Sequence, residues 1–309
     1  MAYDLTKRLV IGLASSALFD LEESDRVFRS GGEQCYRNYQ RENEKKPLAK
    51  GVAFPFIKRL LSLNKLSDEN GALVEVILLS RNDPDTGLRV MNSIEHHKLN
   101  ITRAVFLQGK SPLPYIPAFD IELFLSANPT DVSQAIRAGY PAGQVMKGKI
   151  KDDIHDLELR IAFDFDGVII DDEAEKIFHK NKDLQKFHEN ESLKQDITHN
   201  PGPLNNFIQR LAHIQQIEHL EVSQNLKYKP ILKTALVTAR NAPSHTRAIK
   251  TLRKLGIEIN EAFFLGGIEK NKVLEIIRPH IFFDDQINHL EKVVNILPSV
   301  HIPFGVTNL

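Results

Sequence analysis

The feature that most limits the fold of this chain is a recurrence of short apolar runs. They occupy residues 9–13, 74–79, 104–107, 123–125, 159–163, 234–237, 262–265 and 280–283. Between them lie stretches with the apolar spacing of helices, at 56–65, 88–96, 203–217, 244–255 and 271–277. Buried strands alternating with amphipathic helices make βαβ units, so the expectation is an α/β fold on a mostly parallel sheet. Gly256 and Pro279 fall just past two of the helical stretches, where a helix is expected to stop. With 309 residues and 42% hydrophobic composition, the chain is long enough to bury the cores of two ordinary domains.

The pattern also repeats. IGLASSALFDLEESDRVF at 11–28 lies over IAFDFDGVIIDDEAEKIF at 161–178 without a gap, at an offset of 161 − 11 = 150. RENE at 41–44 resembles HENE at 188–191, and Phe56-Ile57 with Arg59-Leu60 matches Phe207-Ile208 with Arg210-Leu211. Further on, ITRAVFLQG at 101–109 lies over INEAFFLGG at 259–267, and LFLSA at 123–127 over IFFDD at 281–285. The near-constant offset favours two similar halves, residues 1–150 and 151–309, joined in the polar stretch around 143–156.

Composition narrows the function classes. Lys+Arg and Asp+Glu are both 40, for a formal net charge of +0. Such a balance gives no field to gather nucleic acid or an anionic membrane, and neither is expected as a partner. Cys35 is the only cysteine, so no intramolecular disulfide forms, in keeping with a reducing compartment. Lys7 and Arg8 before the apolar run 9–19 imitate a short signal peptide. The run is shorter than the ~20 residues a membrane span needs, and its recurrence at 161 favours a buried strand. A cytoplasmic location is the expectation.

The chemistry concentrates at strand ends. Residues 163–167 read Phe-Asp-Phe-Asp-Gly. Side chains alternate along a strand, so Asp164 and Asp166 project to one side at the C-terminal end of the run, and Gly167 permits a sharp departure. Ligands bind at that end of open parallel sheets, and two crowded carboxylates invite a hard cation. DxD alone is a weak signal. Thr238 ends the run TALVT, where a hydroxyl and free N–H groups suit a phosphate oxygen. Lys270 lies in the turn GGIEKNK ahead of a helix, and HIFFDDQ at 280–286 puts Asp284 and Asp285 straight after an apolar strand. Each has an ordinary explanation (a helix cap, a solvated lysine, an acidic strand end), but the ordered set does not.

The order DxDG, strand-end Thr, Lys, DD resembles that of the haloacid-dehalogenase-like (HAD) superfamily. The words AFPF at 53–56, LVTAR at 236–240 and IRPHIFFDDQ at 277–286 resemble the cytosolic 5′-nucleotidase type I family, with the likeness running from about Leu9 to Val306. The resemblance implies a HAD-like parallel-sheet (Rossmannoid) catalytic domain at 151–309, preceded by a degenerate, similarly built α/β half at 1–150 that serves as lid or scaffold. It further implies Mg²⁺-dependent hydrolysis of nucleoside 5′-monophosphates. Asp164 matches the nucleophile, Asp166 the general acid/base, and Thr238 and Lys270 the phosphate-binding positions. Asp285, supported by Asp284, matches the metal ligand, so the cation is expected among Asp164, Asp166, Asp284 and Asp285. The family carries FDGDA where this chain has FDFDG; both acids are kept, and substrate preference is left open.

On this reading Asp164 attacks phosphorus and forms an aspartyl phosphate, while Asp166 protonates the leaving oxygen and then activates water. Asp166 must start protonated, so its surroundings are expected to favour that form. In the N-terminal half Ala14 and Ser16 stand for the two acids, Ser80 for Thr238, and Ser126-Ala127 for Asp284-Asp285, which predicts a catalytically silent copy. Two other functions share the catalytic set or part of it: another HAD-like phosphatase or nucleoside phosphotransferase, and a non-catalytic nucleotide-binding regulator. His96-His97, Lys45-Lys46 and the lysines of 147–151 read as surface, and Phe54 and Phe56 as core. The base, the sugar, effectors and assembly are not set by the sequence, with which a homo-oligomer is compatible.

Overall fold

A computed structural model of the chain describes residues 3–67, 71–148, 151–181 and 183–308. The chain divides into two compact units, Met1–Tyr140 and Pro141–Leu309. Lys149 and Ile150, at the join expected from the repeat, lie outside the described residues.

The first unit contains β1 (Leu9–Leu13), the two-residue strands β2 (Phe19–Asp20) and β3 (Ala49–Lys50), β4 (Val74–Ser80), β5 (Arg103–Phe106) and β6 (Leu123–Ser126). The second contains β7 (Ala142–Val145), β8 (Leu159–Phe163), β9 (Leu232–Thr238), β10 (Glu261–Phe264), β11 (Ile281–Asp284) and β12 (Ser299–His301). In the first unit the strands β6-β1-β4-β5 lie side by side and parallel. In the second the order is β10-β9-β8-β11-β12-β7, parallel except for β7, which runs against β12. The α/β fold on parallel strands is therefore borne out. Strands β7 and β12 carry no sequence expectation; at four and three residues they are too short to show periodicity.

The parallel strands of the two units pair in the same register. Leu9 pairs with Val74 and Leu159 with Leu232; Ile11 pairs with Leu123 and Ile161 with Ile281; Ile77 pairs with Arg103 and Ala235 with Glu261. Beyond the strands, Ala14 N donates to Leu125 O as Asp164 N donates to Phe283 O, both at 2.8 Å. Leu48 N donates to Ser93 Oγ as His199 N does to Thr251 Oγ1.

Two details correct the sequence alignment. Gly51 N bonds Leu18 O and Gly202 N bonds Ile169 O, an offset of 151, whereas β1 and β8 differ by 150. The second unit thus holds one extra residue just after Asp164, and Ser16 is not fixed as the counterpart of Asp166. Likewise Arg89 bonds Gln40 where Arg247 bonds Glu191. Gln40 is therefore the counterpart of Glu191, and the likeness of RENE to HENE is coincidental.

The core positions the strand ends. Phe163 and Phe283, one residue before Asp164 and Asp284, stack with ring centroids 5.3 Å apart, and Phe207 from the helix Asn205–Gln224 packs edge-on against both. All three rings are fully buried, each worth roughly 1.5–3 kcal/mol of apolar burial. Phe54 and Phe56 are also core, and His96 is exposed. His97 is not surface as expected: it is half-buried, its Nε2 2.9 Å from Leu48 O and its ring 5.2 Å from that of Phe54.

Candidate functional site

The chain leaves β8 toward β9 on one side and returns through β11 on the other. That reversal of strand order opens a crevice at the C-terminal ends of β8 and β11, the ordinary ligand position in an open α/β sheet. Asp164 begins the loop after β8, Asp284 ends β11, and Asp285 follows it directly.

Lys270 brings these carboxylates together. Its buried ammonium lies 2.7 Å from Oδ2 of Asp164 and 2.7 Å from Oδ2 of Asp284. The other oxygen of Asp164 accepts from the Phe165 N–H at 2.7 Å, and the other oxygen of Asp284 accepts from the Gln286 N–H at 2.8 Å. His289 Nδ1 stands 3.1 Å from Asp284 Oδ2. Asp285 accepts from the Thr307 hydroxyl through Oδ2 at 2.7 Å, while its buried Oδ1 has no partner among the described residues.

Gly167 is required here for two reasons. Its φ is +68°, and a Cβ on it would lie 2.8 Å from the Asp285 carboxyl carbon. Thr238 ends β9 and is buried, its hydroxyl accepting from the Arg240 N–H at 3.2 Å.

Asp166 has an unexpected neighbour. Arg240 donates Nε to its Oδ2 at 2.8 Å and Nη2 to its Oδ1 at 2.7 Å. The third arm, Nη1, donates to Glu191 Oε2, and Glu191 Oε1 accepts from Arg247 Nη1 at 2.7 Å. The guanidinium thus grips both oxygens of Asp166, a contact with no sign in the sequence. Glu191 itself is pulled down to about 2, since His199 and Arg240 outweigh the upward push of burial.

The remaining carboxylates repel one another. Burial, then Glu175 and Asp164, push Asp285 up to about 10. Burial, then Asp166 and Asp164, push Glu175 up to about 8. Asp164 is raised to about 6, chiefly by burial, with Lys270 opposing. For Asp284 burial acts upward too, but Lys270 and His289 prevail and its carboxyl titrates below the ordinary range. Oε2 of Glu175 is a second buried oxygen of the cluster without a partner among the described residues.

Two buried oxygens without a partner among the described residues, on Asp285 and Glu175, set among further carboxylates, are the setting a hard divalent cation completes. Donor atoms of Asp164, Asp284 and His289 lie within 4.8 Å of one another. Another trio with this spacing is Asp171, Glu173 and His199; there Glu173 accepts from Lys194 and Arg247, and Asp171 accepts from the Asn200 amide.

Asp164, Lys270, Asp284 and Asp285 are thus brought into one cluster, with Thr238 at the neighbouring strand end and Asp166 turned to Arg240. Glu175, Glu191, Arg240 and His289 belong to the same neighbourhood and were not singled out from the sequence. Only Arg240 carried a signal, as the last residue of LVTAR; the others come from helices without motif spacing. Among the described residues, no helix is long and apolar enough to cross a membrane.

Comparison with known proteins identifies the family. A family model described as 5′-nucleotidase matches residues 1–309. The chain is 36% identical over 288 residues to cytosolic 5′-nucleotidase 1B of Homo sapiens, an alignment covering 92% of this chain and 47% of that protein. The chain therefore spans about half the length of the curated relative it matches. No solved structure matches it. With the family's model spanning all of its residues, the chain belongs to the 5′-nucleotidase family.

Proposed function

We propose that the chain hydrolyses nucleoside 5′-monophosphates to nucleoside and phosphate, with Asp164 as nucleophile and Mg²⁺ as the cation. The observation that carries this reading is the buried Asp164–Lys270–Asp284 bridge beside the unpartnered Oδ1 of Asp285. A bare binding site needs neither a strand-end carboxylate held ready for attack nor a second acid beside it.

Asp164 attacks phosphorus, forming an aspartyl phosphate as the bond to the 5′-oxygen breaks. Asp166 gives a proton to that oxygen, then takes one from the water that cleaves the aspartyl phosphate and frees Asp164. Lys270 and Thr238 offer donors to the phosphoryl oxygens, where charge accumulates. Mg²⁺, held by Asp164, Asp284 and Asp285 with Asp166 beside them, would neutralise charge on the same oxygens. The proton for the leaving group must occupy an Asp166 oxygen that Arg240 now contacts, so at least one of those two hydrogen bonds opens in each cycle.

The first unit, with Ala14, Ser126 and Ala127 at the positions of Asp164, Asp284 and Asp285, is read as catalytically silent. Cytosolic residence belongs to the same reading, supported by the name of the human relative and by the single cysteine. The test is phosphate release from a panel of ribo- and deoxyribonucleoside 5′-monophosphates, sugar phosphates and an aryl phosphate in Mg²⁺, with and without an acceptor nucleoside. Release that requires the acceptor would make the chain a phosphotransferase. Release from sugar phosphates alone would move the substrate class.

A further inference from the structure

The internal repeat works as a control for the catalytic unit, because it shows which contacts the fold needs without the chemistry. Arg89 of the first unit donates Nε to Lys46 O at 3.0 Å and Nη1 to Gln40 Oε1 at 3.2 Å. Arg247 of the second donates Nε to Ile197 O at 2.9 Å and Nη1 to Glu191 Oε1 at 2.7 Å. The same buried arginine therefore pins the same backbone in both units, and an uncharged glutamine suffices as its partner in the first.

The negative charge on Glu191 needs another explanation, and Arg240 supplies it. The counterpart of Arg240 is Asn82, fixed by Gln108 N donating to Asn82 O as Gly266 N donates to Arg240 O. Asn82 accepts from the Tyr36 hydroxyl at 2.9 Å, whereas the Arg240 guanidinium lies over Phe187, the counterpart of Tyr36, at 5.5 Å. Neutral Gln40 and Asn82 accompany a unit without catalytic carboxylates; charged Glu191 and Arg240 accompany the unit that carries Asp164 and Asp166. A buried ion pair is rarely a net gain in stability over neutral residues of similar volume. Its presence in one copy and absence in the other marks it as serving that copy's carboxylates.

We propose that Glu191 and Arg240 form a latch, peculiar to the catalytic unit, that positions Asp166 for proton transfer to the leaving group and ties it to the helix Leu184–Leu193. Glu191 holds one arm of the guanidinium and leaves the other two against the oxygens of Asp166, so that one contact keeps the carboxyl in place when the other opens for the proton. Both are positioning residues, acting through Asp166 and not on the substrate. The inference rests on the nucleotidase reading above.

The first unit also prescribes the test. The double variant Glu191→Gln/Arg240→Asn rebuilds the Gln40/Asn82 pair, which that unit folds around, and removes one charge of each sign. Glu191→Gln alone keeps Arg240 but frees its third arm. Each is compared with wild type for thermal melting and for kcat and KM on a nucleoside 5′-monophosphate and an aryl phosphate. The nucleoside leaving group needs a proton and the aryl group does not. A misplaced acid should therefore lower kcat on the nucleotide by about tenfold or more, and on the aryl phosphate by less than about threefold, with KM little changed. Gln40→Glu, the opposite charge change at the corresponding position of the first unit, should leave both rates unaltered.

Equal losses on the two substrates, or none, would overturn the latch. So would failure of the double variant to fold, since the equivalence of the two units would then not hold. A wild-type chain that releases no phosphate from either substrate would overturn the nucleotidase reading first, and the latch with it.

Discussion

The Lys270 ammonium stands 2.7 Å from Oδ2 of Asp164, buried at the foot of the crevice. The contact keeps a carboxylate that burial would otherwise leave neutral within reach of a cation, and it places a donor where phosphoryl oxygens would arrive. Lys272, two residues on, is exposed, as the roughly 200° turn over two helical residues requires.

Lys270→Met should lower kcat on nucleoside monophosphates by about 10²–10³-fold, the usual cost of losing a preorganised donor, and raise KM. Lys272→Met should do neither. Steady-state kinetics of the two variants checks this, and the reverse result would move the phosphate contact to Lys272.

Gly167→Ala should be damaging out of proportion to its size. An alanine there must adopt φ near +68° and put a Cβ 2.8 Å from the Asp285 carboxyl. The backbone strain alone is about 1 kcal/mol, and the clash adds to it. Lower melting temperature together with weaker Mg²⁺ binding, followed by titration calorimetry, is the expected result. A variant matching wild type in both would show that the loop tolerates a side chain.

The acid cluster makes a pH-dependent prediction. Asp164, Glu175 and Asp285 have folded-state values raised to about 6, 8 and 10, above their unfolded values, so the folded metal-free chain binds protons more tightly than the unfolded one. Their contribution to stability is full below about pH 4 and is lost as pH rises through those values. Glu191, lowered to about 2, acts oppositely and contributes throughout that window. Added Mg²⁺ should therefore raise the melting temperature more at about pH 8 than at about pH 5, as more of the cluster becomes anionic. Thermal melts with and without Mg²⁺ across pH would measure it. A Mg²⁺ effect that shrinks with rising pH would contradict the cluster as the cation site.

What the sequence revealed follows from what leaves a local mark. The strands β1, β4, β8 and β9, five or seven residues long, are built around apolar runs, and the DxDG and DD words sit at the strand ends those runs locate. The helix Glu22–Glu42 left no such mark, since only Ser24 and Gln40 of its 21 residues are buried. Arg240 was invisible as a partner of Asp166 because the contact spans 74 positions, and an arginine just past a strand end reads equally as solvated surface. Glu191 was misaligned because three matching letters outweighed the offset that the contacts of Arg89 and Arg247 show. Long-range ion pairs have no period, so spacing cannot find them.

The central claim is that Asp164 is the nucleophile. Phosphate release from a nucleoside 5′-monophosphate in Mg²⁺, measured for wild type and for Asp164→Asn, tests it most directly. The amide keeps the shape and the Phe165 N–H contact but cannot attack. The account predicts turnover in the wild type and its loss by about 10³-fold or more in the variant, with folding and nucleotide binding retained. An Asp164→Asn chain that still turns over at a substantial fraction of the wild-type rate would contradict it.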